Sequence, residues 1–250
     1  MKTEILYGIH PVNEALVSRR RRIHEIYLQK YNQSGRLDRL ASAAAQRGIG
    51  VKAVGPADLK ALTGVSGHQG AAAKVDPLPL TAVSDMLAAA QTRGGTIFLL
   101  ILDNILDPQN LGAIIRTALC VGIDGVIMPK DRSAPPTPAV SKASAGALEH
   151  ISLSRVTNLV STIKHCKKSG LWVMGLDKKA ERSIYDGDLT GSIAIVLGGE
   201  QKGIRPLVSK NCDFLVSIPQ LGALDSLNVS AAAAVAMYEA LRQRLSISDL

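Results

Sequence analysis

Ile97-Phe98-Leu99-Leu100-Ile101-Leu102, followed by the polar stretch Asp103-Asn104-Ile105-Leu106-Asp107-Pro108-Gln109-Asn110 and by a helical pattern ending at Gly122, sets the architecture of this chain. The continuous apolar run lacks the alternation of a half-wet strand and reads as a central parallel strand covered on both faces. Beyond the polar loop, Leu111, Ile114, Ile115, Ala118 and Leu119 fall at i, i+3, i+4, i+7 and i+8, and Gly122 is placed to stop the helix. Buried strand, polar loop and amphipathic helix make the βα unit of an open α/β sheet. Such sheets place ligands just beyond the carboxyl ends of their strands.

The same pattern extends downstream. Gly125–Met128, Leu171–Met174 and Ile193–Leu197 read as further buried strands, and Phe214–Ile218 as a short one. Pro135-Pro136-Thr137-Pro138 opens a loop and then a small-residue helix, and a last amphipathic helix runs from Asn228 to about Arg244. Upstream, Ile23–Leu28 partly alternates, Leu37–Arg47 is helix-like until Gly48 and Gly50 stop it, and Val51–Val54 and Ala71–Val75 resume strands. Residues 1–76 therefore read as a small α/β sandwich. Asp76-Pro77-Leu78-Pro79 looks like a stiff connector, and a helix over Thr81–Ala90 ends at Arg93-Gly94-Gly95. The expected organisation is a domain over 1–76, a linker over 77–95 and a larger domain over 96–250.

Composition narrows the function classes. Of 250 residues, 46% are hydrophobic and 20% charged, which predicts a packed core. No apolar run approaches the ~20 residues of a membrane span, and no apolar stretch follows Met1-Lys2-Thr3-Glu4 as a signal peptide requires. Cys120, Cys166 and Cys212 are far apart, so neither a zinc site nor a disulfide framework is expected, and a reducing cytoplasm fits. His10, His24, His68, His150 and His165 show no metal-ligand spacing, and no G-x-S-x-G elbow is present. The net charge is +8, and residues 1–76 hold 12 Lys and Arg against 6 Asp and Glu, whereas the remainder holds 17 against 15. That asymmetry points to a polyanion-binding N-terminal part, densest at Arg19-Arg20-Arg21-Arg22, which reads either as a solvated helix end or as an RNA contact. Aromatic residues at 3% argue against single-stranded RNA stacked on an aromatic sheet.

Polar junctions follow the buried strands in three places. They are Asp107-Pro108-Gln109-Asn110-Leu111-Gly112 with Arg116 in the helix beyond, Gly198-Gly199-Glu200-Gln201-Lys202-Gly203, and Ile218-Pro219-Gln220-Leu221-Gly222 running to Ser226-Leu227-Asn228-Val229-Ser230. Each has an ordinary structural use. Asn110, Ser226 and Asn228 suit helix caps, Arg116 a surface ion pair, and the glycine loop lacks both the Lys-Ser/Thr ending of a P-loop and the G-x-G-x-x-G fingerprint. Three such junctions in one domain together suggest a composite site.

These segments resemble the three motifs of the SpoU (TrmH-type) branch of the SPOUT superfamily of RNA ribose 2′-O-methyltransferases. Asp107-Pro108-x-Asn110-x-Gly112-x-x-x-Arg116-x-Ala118-x-x-x-Gly122 resembles the first motif. Val196-Leu197-Gly198-x-Glu200-x-x-Gly203 resembles the second. Ile218-Pro219-x-x-Gly222-x-x-x-Ser226-Leu227-Asn228-Val229-Ser230-x-Ala232 resembles the third, with Gln220 standing where methionine is common. Tyr7–Val12, His68-Gln69-Gly70, Lys130–Ser133 and Arg155–Leu159 are similar to the RlmB-like subgroup, which modifies a guanosine of 23S rRNA.

The resemblance implies an α/β fold whose C-terminal domain, a parallel sheet flanked by helices, carries a trefoil knot, beside a small N-terminal domain of ribosomal-protein type that binds RNA. It implies S-adenosylmethionine held by Gly198, Ile218 and Leu227 largely through backbone groups. Arg116 is then the catalytic candidate, with Asn110, Glu200, Ser226 and Asn228 around it, and Arg19 to Arg22, His68 and Gln69 are candidate RNA contacts. A homodimer without metal is expected. Glu200 is expected either to orient Arg116 or to cap its helix. Arginine is an awkward base, its reference pKa lying above ~12, so phosphate fixation and alkoxide stabilisation suit it better. The rival readings are a tRNA substrate, a non-catalytic RNA-binding module, and a dinucleotide enzyme, whose glycine fingerprint the loop after Ile97–Leu102 lacks.

Overall fold

A computed structural model describes residues 3–30, 35–223 and 226–248. The chain divides into two compact units, Met1–Pro79 with Pro136–His150, and Leu80–Pro135 with Ile151–Leu250.

In the first unit β1 (Glu4–Tyr7), α1 (Ile9–Ser18), β2 (Ile23–Gln29), α2 (Gly35–Gln46), β3 (Val51–Val54), α3 (Pro56–Thr63) and β4 (Ala71–Val75) follow one another. The strands order as β1-β4-β2-β3, with β4 antiparallel to both neighbours and β2 parallel to β3. Val12, Ala15 and Leu16 of α1 and Leu37, Leu40 and Ala44 of α2 form one core with Leu6, Ile26, Leu28, Ala73 and Val75. α1 ends in Arg19, which takes the left-handed conformation at φ 56°, and α3 closes on Gly64 at φ 72°.

The second unit runs α4 (Val83–Thr92), β5 (Phe98–Asp103), α5 (Pro108–Cys120) and β6 (Gly125–Pro129). The chain then passes through α6 (Pro138–Ala143) and a 3-10 turn at Ala147–Glu149, which belong to the first unit. It resumes with β7 (Leu153–Val156), α7 (Leu159–Lys168), β8 (Trp172–Leu176), β9 (Ile193–Gly198), α8 (Pro206–Ser209), β10 (Phe214–Val216) and α9 (Val229–Ser248). The strand order is β10-β8-β9-β5-β6-β7, parallel throughout. β5 lies inside this sheet with every residue buried, as its unbroken apolar run requires. Leu99 and Ile101 face α4 and α7 through Met86, Leu87, Leu159 and Ile163. α5 and α9 pack together; Leu111, Ile114, Ile115 and Ala118 are buried on the first, and Ala233, Ala236, Met237 and Ala240 on the second. No helix among the described residues is long and apolar enough to cross a membrane.

Several expected elements shift. The strand expected over Phe214–Ile218 stops at Val216, and Ser217 makes only an isolated bridge to Ser183. α9 extends past Arg244 to Ser248.

Candidate functional site

The carboxyl ends of β5 and β9 and the N-terminal end of α9 converge in the second unit. α5 begins on Asp107, whose carboxylate accepts the Gln109 amide at 2.9 Å while Pro108 occupies the first helical position, where its missing N–H costs nothing. Asp107, rather than Asn110, is the cap, and the Asn110 side chain is thereby released for another use. Its Nδ2 donates to Glu200 Oε1, and its Oδ1 accepts from Asn228 Nδ2 at 3.1 Å. Asn228 in turn caps α9. Its Oδ1 accepts from the Ser230 amide at 2.8 Å and from the Ser230 hydroxyl at 2.6 Å. One chain of hydrogen bonds therefore links a residue from each of the polar junctions, and Asn228 serves as cap with one end and as bridge with the other.

Arg116 lies two turns into α5, exposed, without a hydrogen-bond or ion-pair partner among the described residues. The Glu200 carboxylate is engaged by Asn110 and forms no ion pair with Arg116. Ser226 is exposed and borders the cavity described next.

Beside this network lies a cavity of about 630 Å³ between the ends of β8 and β9, the 199–206 loop and the segment leading into α9. Gly198, Ile218 and Leu227 all line it, with Leu197, Gln220 and Val229. Its size falls in the range of small-molecule sites, and apolar side chains and glycine backbone share its wall with polar groups such as Asp177, Glu200 and Lys202. A Cβ on Gly198 would sit 2.0 Å from the Gly203 carbonyl carbon and 2.1 Å from the Ile204 nitrogen; one on Gly199 would sit 2.3 Å from the Asn104 carbonyl oxygen. Both obstacles are backbone, which cannot swing aside. Gly198→Ala is therefore expected to displace the 199–205 loop and to abolish ligand binding by this cavity, checked by calorimetry on folded protein. Wild-type affinity in that variant would contradict the packing.

Thiol chemistry is absent from the site. Burial pushes the Cys166 and Cys212 thiols up to about 11, so neither ionises appreciably near neutrality. At about pH 8, a thiol reagent should modify exposed Cys120 and spare the other two until the protein unfolds, as read by peptide mass spectrometry.

The N-terminal candidates separate. Arg19 and Arg22 are exposed, whereas Arg20 is half-buried and burial draws its pKa down. Arg21 is interior: its side chain is 2% exposed, and its guanidinium grips Glu149 through Nε at 2.8 Å and Nη2 at 2.6 Å and Glu4 through Nη1 at 2.9 Å. Ser141 Oγ completes the cage, donating to Glu149 at 2.7 Å. Four arginines in a row carry no period from which to read which one turns inward, and the partner carboxylate stands 128 residues away. His68 is buried, its Nδ1 accepting the Gly70 amide at 3.1 Å, while Gln69 is exposed at φ 55°.

Sequence reasoning did not single out Asp103 and Arg205. Asp103 is fully buried at the end of β5, and both its oxygens are taken by Arg205, from the backbone N–H at 2.9 Å and from Nε at 2.8 Å. The signal available was a carboxylate closing an otherwise apolar strand.

Residues 97–238 match the model of the SpoU rRNA Methylase family, and residues 5–81 match a model described as RNA 2′-O ribose methyltransferase substrate binding. The 23S rRNA (guanosine-2′-O-)-methyltransferase RlmB of Vibrio vulnificus is 41% identical over 249 residues, covering 98% of this chain and 99% of that protein. The protein of the same name from Coxiella burnetii is 41% identical over 243 residues, covering 97% of each. Among solved structures, the SpoU methyltransferase AviRb of Streptomyces viridochromogenes, in complex with the cofactor AdoMet, aligns with a TM-score of 0.81 at 24% identity, over 97% of this chain and 90% of that one. The chain belongs to the SpoU rRNA methylase family.

Proposed function

We propose that this protein transfers a methyl group from S-adenosylmethionine to the ribose 2′-hydroxyl of a guanosine in 23S rRNA. The observation that carries the reading is the Glu200–Asn110–Asn228 chain, which joins the first turn of α5, the loop after β9 and the start of α9 beside a ligand-sized cavity. The full-length similarity to proteins named for that reaction supports the choice of RNA over a dinucleotide substrate.

Gly198, Ile218 and Leu227 would hold the cofactor, which the glycine-lined, partly apolar cavity suits: only a residue without Cβ lets backbone approach a ligand so closely. When bound, S-adenosylmethionine supplies a methyl group already activated by the positive sulfur. The remaining work is to align the 2′-oxygen and to favour its deprotonated form. Arg116, exposed and uncompensated, fixes an RNA phosphate and stabilises the developing alkoxide; the hydroxyl proton leaves to RNA phosphate or solvent. Asn110 and Asn228 keep Glu200 and the start of α9 in register around the ribose. Arg19, Arg22 and Gln69 are exposed for RNA backbone contact.

The reading extends to a C-terminal trefoil knot, a cytoplasmic location and a homodimer. Exposed Leu119 on α5 and Tyr238 on α9, two helices that pack together, favour a partner surface. Light scattering is expected to give twice the chain mass; a monomer would contradict the dimer. Titration with S-adenosylmethionine tests the function itself: saturable binding is expected, and none would leave an RNA-binding module.

A further inference from the structure

We infer that Asp103 and Arg205 are positioning residues that latch the cofactor loop into its ligand-ready shape. This rests on the assignment of the 630 Å³ cavity to S-adenosylmethionine.

Neither residue lines the cavity, yet Gly203, Ile204 and Pro206, which flank Arg205, do. Asp103 ends β5 and is wholly buried, a position in which a carboxylate without partners would be costly. Arg205 supplies both partners. Its backbone N–H binds Oδ2 at 2.9 Å and its Nε binds Oδ1 at 2.8 Å. The backbone bond fixes the path of the chain at the end of the loop, and the Nε bond holds and neutralises the buried carboxylate that makes it. Gly198 pairs with Asp103 in the β5–β9 register, so the same residue also anchors the loop's start. Between these anchors the loop closes on itself through the Gly203 amide and the Gly199 carbonyl at 2.9 Å, and Gly199 is backed by the Asn104 carbonyl. Glu200 rides on this loop and reaches Asn110 from it. Asp103, the last residue of β5, and Asn104 just beyond it thus hold a loop whose middle, Glu200 to Lys202, is exposed.

The latch makes cofactor affinity depend on a carboxylate that does not reach the cofactor. Arg205→Ala and Asp103→Asn are expected to weaken S-adenosylmethionine binding by about 10- to 100-fold, since a charged hydrogen-bond partner is lost. Turnover at saturating cofactor should be preserved, because bound cofactor reseats the loop; the effect therefore falls on KM and not on kcat. Arg205→Lys returns a charged side-chain donor to the Asp103 carboxylate and should recover most of the affinity. Hydrogen exchange on the cofactor-free protein gives an independent readout: amides 199–205 should exchange faster in both variants while the other amides keep wild-type rates. Arg205 is 37% exposed, so Arg205→Ala remains informative if Asp103→Asn fails to fold. Unchanged exchange across 199–205, or wild-type cofactor affinity in folded Arg205→Ala, would overturn the latch, as would a fall in kcat with affinity unchanged. Failure of the wild-type protein to bind S-adenosylmethionine would instead refute the proposed function, and the exchange measurement would still decide the latch.

Discussion

Replacing Arg116 with alanine is expected to lower kcat by about 10²- to 10³-fold, the usual cost of removing one preorganised group that meets transition-state charge. Cofactor affinity should stay within about twofold, because a transition-state contact contributes little to ground-state binding. Stability should change by no more than about 0.5 kcal/mol, since Arg116 is exposed and α5 is held by its opposite face, through Leu111, Ile114, Ile115 and Ala118. No carboxylate pairs with this guanidinium among the described residues, so its full charge is available to the substrate. Arg116→Lys divides the role further. Near-full activity would count against bidentate phosphate binding while leaving charge stabilisation in place. Wild-type turnover in the alanine variant would remove Arg116 from the mechanism.

Glu149→Ala is expected to destabilise the first unit by about 3–5 kcal/mol, because it leaves the Arg21 guanidinium buried without its principal partner. Urea denaturation followed by circular dichroism measures the loss. Arg19→Ala or Arg22→Ala in the same run should have the opposite profile. Stability should hold within about 0.5 kcal/mol, while RNA binding weakens and its salt dependence flattens by about one phosphate contact. An equal stability loss in Arg19→Ala or Arg22→Ala would contradict the contrast between these exposed residues and buried Arg21.

The architecture of the second unit was largely legible in the sequence. β5 announces itself because both of its faces are covered, and α5 because five apolar residues repeat on one helical face. Such signals are local. Strand order is not, and nothing near Phe214 says that β10 pairs with β8 at the sheet edge. Neither does anything near Pro136 say that residues 136–150 pack with the first unit, since the ion pair from Arg21 to Glu149 spans sequence that carries no trace of it. At the site, the residue types were readable but their division of labour was not. Asp107 and Asn110 are both good caps, and only the geometry shows that Asp107 takes that role and leaves Asn110 to bridge Glu200 and Asn228. Asp103 stayed hidden because its partner is a backbone N–H as much as a side chain.

Methyl transfer to a ribose oxygen is tested by mapping 2′-O-methyl groups in 23S rRNA lacking them, incubated with the purified protein and methyl-labelled S-adenosylmethionine. Label is expected at a single guanosine, on the ribose and not the base, and is lost in Arg116→Ala. Label on a base, label in tRNA with none in 23S rRNA, or no transfer despite cofactor binding would contradict it.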